Sequence, residues 1–369
     1  VTVLLDHEGF EVTTYRIDGK YEDSRHPSEV TFTRNLRDDL LRRDFTINAM
    51  AYNEKDGLVD IFGGLEDLER KLIRCVGVAK ERFSEDALRI LRGVRFAAQL
   101  GFKIDGETRE GMRILSPTLQ NISAERIQTE LIKMLVSDRP ELMRTAWELG
   151  ITTQFLPEFD EMMETEQETP HHMYTVGEHT LHAMKNIRPD KALRLTMLFH
   201  DMGKPAFKTV DSEGVAHFKK HAIESEEITK KVLRRLKFDN DTLHKVSHLV
   251  YYHDYRMPAK EKNVRRAMSR IGTELFPDYL EVRMADVLAQ STYRREEKLE
   301  ELHAVEELYH QITEAGQCVS IKELAVNGKD LIEAGMKPGK AIGEKLAEFL
   351  ELVIEEPQLN TKEELLKRI

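Results

Sequence analysis

Apolar and polar residues alternate at the start of the chain. Val1-Thr2-Val3-Leu4-Leu5 and Phe10-Glu11-Val12-Thr13-Thr14-Tyr15-Arg16 are rich in β-branched and aromatic side chains, which predicts two strands joined by a Glu8-Gly9 turn. A chain that opens on a strand leaves that strand without partners, so residues N-terminal to Val1 are expected to be missing. From about Leu65 the period changes to that of a helix and stays there. Ser84 is placed as an N-cap, Glu85 and Asp86 fill the first turn where the helix dipole favours anions, and Leu88, Leu91, Val94 and Ala98 follow on one face. Ser123 opens a second helix over 124–136, and Pro140 starts another that carries the single tryptophan, Trp147. Residues 161–170 read as an acidic linker, 171–290 as a histidine-rich helical region, and the remainder as a helical tail. The class expected is α+β, mostly α-helical, with few strands.

Composition narrows the setting. The 369 residues suffice for two or three domains with real cores, and 40% hydrophobic with 33% charged residues describes a folded, water-exposed protein. Apolar runs are too short to span a bilayer and none resembles a signal peptide, so no membrane partner is expected and the cytoplasm is the expected compartment. Cys75 and Cys318 are isolated, so neither a disulfide framework nor a cysteine-based zinc site is expected. A net charge of −11 argues mildly against nucleic acid, yet basic residues gather at 42–43, 89–95, 230–237 and 260–270. A basic track on an acidic body suits RNA contact.

Two short blocks carry candidate chemistry. In Ser84-Glu85-Asp86-Ala87-Leu88-Arg89, a carboxylate and a guanidinium stand three residues apart on one predicted helix face. Asp86 only accepts and Arg89 only donates, so the pair complements cytosine and adenine, whose Watson–Crick edges place an amino donor beside a ring-nitrogen acceptor. Guanine and uracil would leave a charged partner unpaired, at a cost of about 1–3 kcal/mol. The other block, Arg42-Arg43-Asp44-Phe45-Thr46-Ile47-Asn48, offers arginines for phosphate oxygens and small polar groups for a ribose.

These blocks, with Gly63-Gly64, Ala124-Glu125-Arg126-Ile127-Gln128-Thr129-Glu130-Leu131 and Tyr21-Glu22-Asp23-Ser24-Arg25-His26-Pro27, resemble in order the motifs of the class II tRNA nucleotidyltransferase and poly(A) polymerase family. The resemblance implies a polymerase-β-like palm followed by helical neck, body and tail. It assigns Arg42, Arg43, Asp44 and Asn48 to a triphosphate and ribose site and Asp86 and Arg89 to an amino-acid template supported by Glu85 and Arg92. Arg126 and Glu130 would brace the template helix, and Gly63-Gly64 would link palm and neck. The family's metal-binding Asp-x-Asp is absent, and Glu11 resembles only its third carboxylate. One carboxylate cannot hold the two Mg²⁺ ions of in-line transfer, so this chain is expected to bind nucleotide poorly and to transfer none.

Ten of the fourteen histidines fall between His171 and His253. His200-Asp201-Met202-Gly203-Lys204 ends an apolar helix, His179 precedes it and Asp286 follows. Imidazoles with a carboxylate suit a divalent transition metal. The order resembles the HD phosphohydrolase superfamily, which implies His179, His200, Asp201 and Asp286 as ligands, with His221 and His253 where two-metal members have further ones. His244 and His248, four residues apart, read as a solvated face, Asp239-Asn240-Asp241 as a helix-capping cluster, and Gly335-Met336-Lys337-Pro338-Gly339-Lys340 as a helix–turn–helix link that fails the phosphate-loop spacing.

The expected organisation is therefore a palm remnant over 1–62, neck and body over 63–168, an HD-type domain over 169–292, and a tail over 293–369 that contacts tRNA. The expected function is addition or repair of the 3′ CCA end of tRNA from CTP and ATP with Mg²⁺, with an HD domain that removes phosphates from damaged ends. An A-adding enzyme or poly(A) polymerase shares the same motifs. The same residues also suit an HD phosphohydrolase with a vestigial palm, or a non-catalytic RNA-binding protein.

Overall fold

The computed structural model describes residues 1–19 and 29–369, so the 21–27 motif lies outside the described residues. Two hairpins open the chain, β1 (Thr2–Leu5) with β2 (Glu8–Glu11) and β3 (Arg16–Asp18) with β4 (Val30–Phe32). The first turn sits at Asp6-His7, both at positive φ, and Glu8 and Gly9 lie inside β2. Asp and His tolerate the left-handed region well enough to make a two-residue turn, which moves the loop two residues upstream of the expected one.

Helix α1 (Leu36–Leu41) leads through a 3₁₀ turn at Thr46–Asn48 into the hairpin β5 (Met50–Asn53) and β6 (Gly57–Asp60). Then come α2 (Gly64–Glu69), β7 (Leu72–Ile73), α3 (Ala79–Glu85), α4 (Leu88–Leu100), and β8 (Lys103–Ile104), which pairs parallel to β7. The body continues as α5 (Gly106–Leu115), α6 (Ala124–Leu135), α7 (Met143–Glu148) and α8 (Pro157–Glu164). Helix α8 runs into the expected linker because Phe159, Met162 and Met163 bury one of its faces.

The histidine-rich region comprises α9 (Val176–Lys185), α10 (Lys191–Phe199), α11 (Lys204–Phe207), the short pair β9 (Thr209–Val210) and β10 (Ala216–His217), α12 (His221–Arg235), α13 (Asn240–Tyr252), α14 (Glu261–Ile271) and α15 (Phe276–Ala289). Asp239 caps α13 by accepting from Thr242 N–H at 2.7 Å. His244 is exposed, while His248 Nε2 reaches the Ile271 carbonyl at 2.8 Å. The tail holds α16 (Arg295–Glu314), α17 (Gly328–Glu333), α18 (Lys340–Glu355) and α19 (Lys362–Leu366).

One hydrophobic core runs without interruption from Phe45 through the body and the histidine region to Val319. A second, smaller core around Leu331, Phe349 and Val353 belongs to the tail alone. The basic residues of α14 meet acidic residues of α18: Arg266 pairs with Glu351 and Glu355, and Lys262 with Glu355. Arg265 is buried and donates to the Ile354 carbonyl at 2.8 Å. Part of the expected RNA track is thus an internal seam that docks the tail. No helix among the described residues is long and apolar enough to cross a membrane.

Candidate functional sites

The template block folds differently from its sequence reading. Ser84 lies within α3 and donates to the Lys80 carbonyl at 2.7 Å, so it caps nothing. Asp86, at φ −141° and ψ 102°, breaks the helix between α3 and α4, and its Oδ1 accepts from Leu88 N–H at 3.1 Å. An Asx side chain that bonds two residues ahead stabilises such a break, and this competes with continuing the helix through Asp86. Asp86 and Arg89 therefore do not share a helix face. Asp86 Oδ2 is held by Arg126 Nη2 from α6 at 2.7 Å. Arg89 is buried, with Nη1 on Glu85 (2.6 Å) and the Arg82 carbonyl (3.0 Å), and Nη2 on the Arg42 carbonyl (2.7 Å).

The expected nucleotide residues nevertheless converge. Arg42, Arg43, Asp44, Asn48, Asp86, Arg89, Arg92 and Arg126, closed by Leu88 and Phe96, line a cavity of about 550 Å³. Asp44 Oδ2 binds Arg92 at 2.6 Å, while its Oδ1 accepts from Phe45 N–H and Asn48 Nδ2. Asp39, which no sequence motif singled out, is buried and accepts from Arg42 at 2.7 Å, with Arg43 at 3.5 Å. Glu85 pairs with Arg89 and Arg82, and its burial pushes its carboxyl up. Glu130 pairs with Arg95 at 2.6 Å in the interior, one turn along α4 from the cavity, rather than with the break. Helix α4 approaches its neighbours closely because Gly93 is bare: a Cβ there would lie 2.1 Å from Met112 Cε and 3.0 Å from Phe45 Cζ.

Glu11 stands apart, exposed on β2 opposite Thr2. Among the described residues, the clusters of three or more His, Cys, Asp or Glu able to share a metal ion all lie in the histidine region. The residues around Glu11 do not fit a pair of Mg²⁺ ions.

The histidine region gathers two such groups, His179 with His200 and Asp201, and His221 with His253 and Asp201. Each ring has its Nδ1 near a backbone carbonyl: His179 at 3.4 Å from Ala289, His200 at 2.6 Å from Met197, His221 at 2.8 Å from Phe218, and His253 at 2.7 Å from Val250. If each Nδ1 carries the proton, all four Nε2 lone pairs point inward, the tautomer that metal-ligating histidines adopt. Asp286 Oδ1 lies 2.9 Å from His179 Nε2, and the two oxygens of Asp201 face one group each, at 3.2 Å from His200 and 3.3 Å from His221. His200 Nε2 and Asp201 Oδ2 are buried without a well-aligned hydrogen bond, although Lys204 Nζ ion-pairs with that oxygen at 2.7 Å. Such orphaned donor atoms fit a divalent cation. Burial works against the Asp201 and Asp286 charges, but His200 with Lys204, and His179, hold both carboxyls well below the usual range.

Close backbone approach builds this centre. Gly203 lets α12 dock beside Asp201, since a Cβ there would lie 2.4 Å from the His221 carbonyl oxygen, and Gly203 N–H donates to Ser225 Oγ at 2.9 Å. The centre opens into a cleft of about 1050 Å³ whose wall includes Lys204, Arg256, Gln290, Lys298 and His171. Of these only Lys204, three residues after Asp201, belonged to a block visible in the sequence.

Residues 1–74 match the family model of the poly A polymerase head domain, 101–163 that of the probable RNA and SrmB-binding site of polymerase A, and 213–369 that of tRNA nucleotidyltransferase domain 2. A CCA-adding enzyme of Streptococcus pneumoniae serotype 19F is 54% identical over 137 residues, 37% of this chain and 34% of the relative. The chain thus spans about a third of the length of the curated relatives it matches. The Bacillus stearothermophilus CCA-adding enzyme, solved in complex with CTP, is 25% identical with a TM-score of 0.68 over 100% of this chain and 80% of that one. The Thermotoga maritima CCA-adding enzyme, complexed with tRNA, is 22% identical with a TM-score of 0.50 over 90% of this chain and 73% of that one, which bears on the fold alone. The mostly helical α+β architecture is that of these CCA-adding enzyme structures, and the matches, in one order along one chain, support the CCA-adding and poly(A) polymerase family.

Proposed function

We propose that this chain carries the nucleotide-selecting part of a tRNA nucleotidyltransferase that adds or repairs the 3′ CCA end from CTP and ATP. The observation that carries the reading is the 550 Å³ cavity, where Arg42, Arg43, Arg92 and Arg126 meet Asp44 and Asp86. Guanidinium groups pair with triphosphate oxygens, and Arg89, fixed by Glu85 and two carbonyls, presents a rigid edge beside Asp86. A cytosine or adenine amino group would take up the Asp86 oxygen that Arg126 now occupies. The division into palm, body, histidine domain and tail, with tRNA along the body and tail, belongs to the same reading. Binding of the four ribonucleoside triphosphates tests it. CTP and ATP are expected to bind, weakly, and GTP and UTP at least about tenfold more weakly still. Equal binding of all four, or of none, overturns the reading.

A second reading rests on the histidine centre, whose donor set supports a metal-dependent phosphohydrolase acting on RNA ends. A divalent cation held by His179, His200, Asp201 and Asp286, with His221 and His253 on the far side of Asp201, would supply Lewis acidity and a water of lowered pKa. The protein's own part is to aim the Nε2 atoms through their Nδ1 carbonyl contacts, to keep Asp201 and Asp286 ionised, and to admit substrate through the cleft. Metal content of the purified chain, alongside hydrolysis of a nucleoside 2′,3′-cyclic phosphate, checks it. A metal-free chain that stays inactive after incubation with Mn²⁺, Ni²⁺ or Mg²⁺ would exclude it.

A further inference from the structure

The cleft at the histidine centre is lined by cations, and their partners distinguish them. Lys204 is paired with Asp201 at 2.7 Å, and Arg256 with Asp254 at 2.9 Å. Arg270 donates to the Tyr255 hydroxyl at 3.4 Å, at the mouth of the cleft, where Lys219 and Lys220 are exposed. Lys298 is different. Arg270, Lys219 and Lys220 also lack a carboxylate partner but are exposed, whereas Lys298 is half-buried in the cleft wall with, among the described residues, no carboxylate within ion-pair distance.

Two neutral groups hold its amine instead. Lys298 Nζ donates to Gln290 Oε1 at 2.6 Å and lies 3.1 Å from His171 Nδ1. The other end of the same amide, Gln290 Nε2, donates to Asp286 Oδ2 at 3.1 Å. An amide between a carboxylate and an ammonium can point only one way, so Gln290 fixes the ammonium one amide group away from a residue of the metal centre. His171 is itself secured, since Ser291 N–H donates to its carbonyl at 2.8 Å and its ring packs edge-on to Tyr293.

We propose that Lys298, positioned by Gln290 and His171, binds the phosphoryl oxygens of the ester at the histidine centre. The assignment rests on the phosphohydrolase reading of that centre and adds a residue from α16, beyond the 169–292 segment. A cation whose direct contacts are neutral acceptors has Asp286 only across the Gln290 amide, and a phosphoryl anion would supply a counter-ion in contact. Burial, then the neighbouring Arg256, disfavours the Lys298 charge, Asp286 offsets them only in part, and a bound anion would add to that offset. Gln290 and His171 are positioning residues, because they act through the lysine.

The test uses the full chain loaded with Mn²⁺, with 4-nitrophenyl phosphate as substrate and inorganic phosphate as ligand. Lys298→Met is expected to raise KM and weaken phosphate binding about tenfold or more, with bound metal unchanged. Lys298→Arg, which keeps the charge, is expected to recover most of the loss. Unchanged KM and phosphate affinity in Lys298→Met would overturn the assignment while leaving the hydrolase reading intact. Loss of bound metal in that variant would make Lys298 structural and also overturn it. A wild-type chain that binds neither metal nor phosphate overturns the hydrolase reading, and the assignment with it.

Discussion

Arg126 Nη2 lies 2.7 Å from Asp86 Oδ2, so a residue of α6 holds the break between α3 and α4 from forty positions away. The bond sets where the Asp86 carboxylate points, and in the proposed nucleotide-selecting role that direction would decide which bases it accepts. Arg126→Met is expected to leave the fold intact and to narrow the preference for CTP and ATP over GTP and UTP, because Asp86 then swings free. Asp86→Asn removes the double acceptor and should abolish the preference. Competition binding with the four triphosphates measures both, and an undiminished preference in Asp86→Asn removes Asp86 from base recognition.

The Arg95–Glu130 pair is a matter of stability. Both side chains are buried at 2.6 Å, and Arg95 also packs on the Phe96 ring at 3.8 Å. Glu130→Ala leaves a buried guanidinium unpaired and should cost roughly 3–5 kcal/mol of folding free energy. Urea unfolding of the variant and of the Arg95→Met/Glu130→Leu double variant checks this, since the double replacement leaves no orphaned charge and should recover most of the loss.

Gly203→Ala asks whether the close approach of α12 is required. The new Cβ would meet the His221 carbonyl and Ser225 N–H, both backbone atoms that cannot rotate away. A loss of about 1–3 kcal/mol is expected, with weaker metal binding as His221 is displaced. Metal titration at a temperature where the variant remains folded separates the two effects. Undiminished affinity would show that His221 contributes no ligand.

Asp39 gives a pH dependence of definite sign. Burial alone would raise its carboxyl, but the bond and charge of Arg42, then Arg16 N–H and Arg43, hold it below the ordinary carboxylate value. A depressed folded value means stability that is fully present above the unfolded pKa, about 3.9, and lost as pH falls through the folded one. Asp39→Asn should therefore be roughly 1–3 kcal/mol less stable than wild type at pH 7. The gap should shrink below about pH 4. A gap independent of pH, in urea titrations across that range, would assign the Asp39 effect to shape and not to charge.

Much of the helical body could be read from spacing alone, because 3.6-residue periodicity and caps such as Asp239 are local. The candidate site residues were legible where they sat in compact blocks, at Arg42 to Asn48, Glu85 to Arg92, and His200-Asp201. Errors arose where a local choice had two solutions. Ser84 and Asp86 both suit an N-cap, and only the packing of α3 on α5 and of Arg126 on Asp86 selects the break after Glu85. The basic run of α14 suits either RNA or an acidic partner, and the docking of α18 assigns several of its charges to the tail.

Local patterning was enough to read the α+β class, the order of the blocks and the residue types of both candidate sites, because these depend on neighbours within a few positions. It took the packed chain to show that Arg126, Asp44 and Arg92 line one cavity, that Asp201 stands between two histidine pairs, and that Lys298 lines the same cleft beside Gln290. Those relationships join residues on different elements of the fold, and no spacing rule encodes them. They follow from which faces pack together once the core from Phe45 to Val319 has formed.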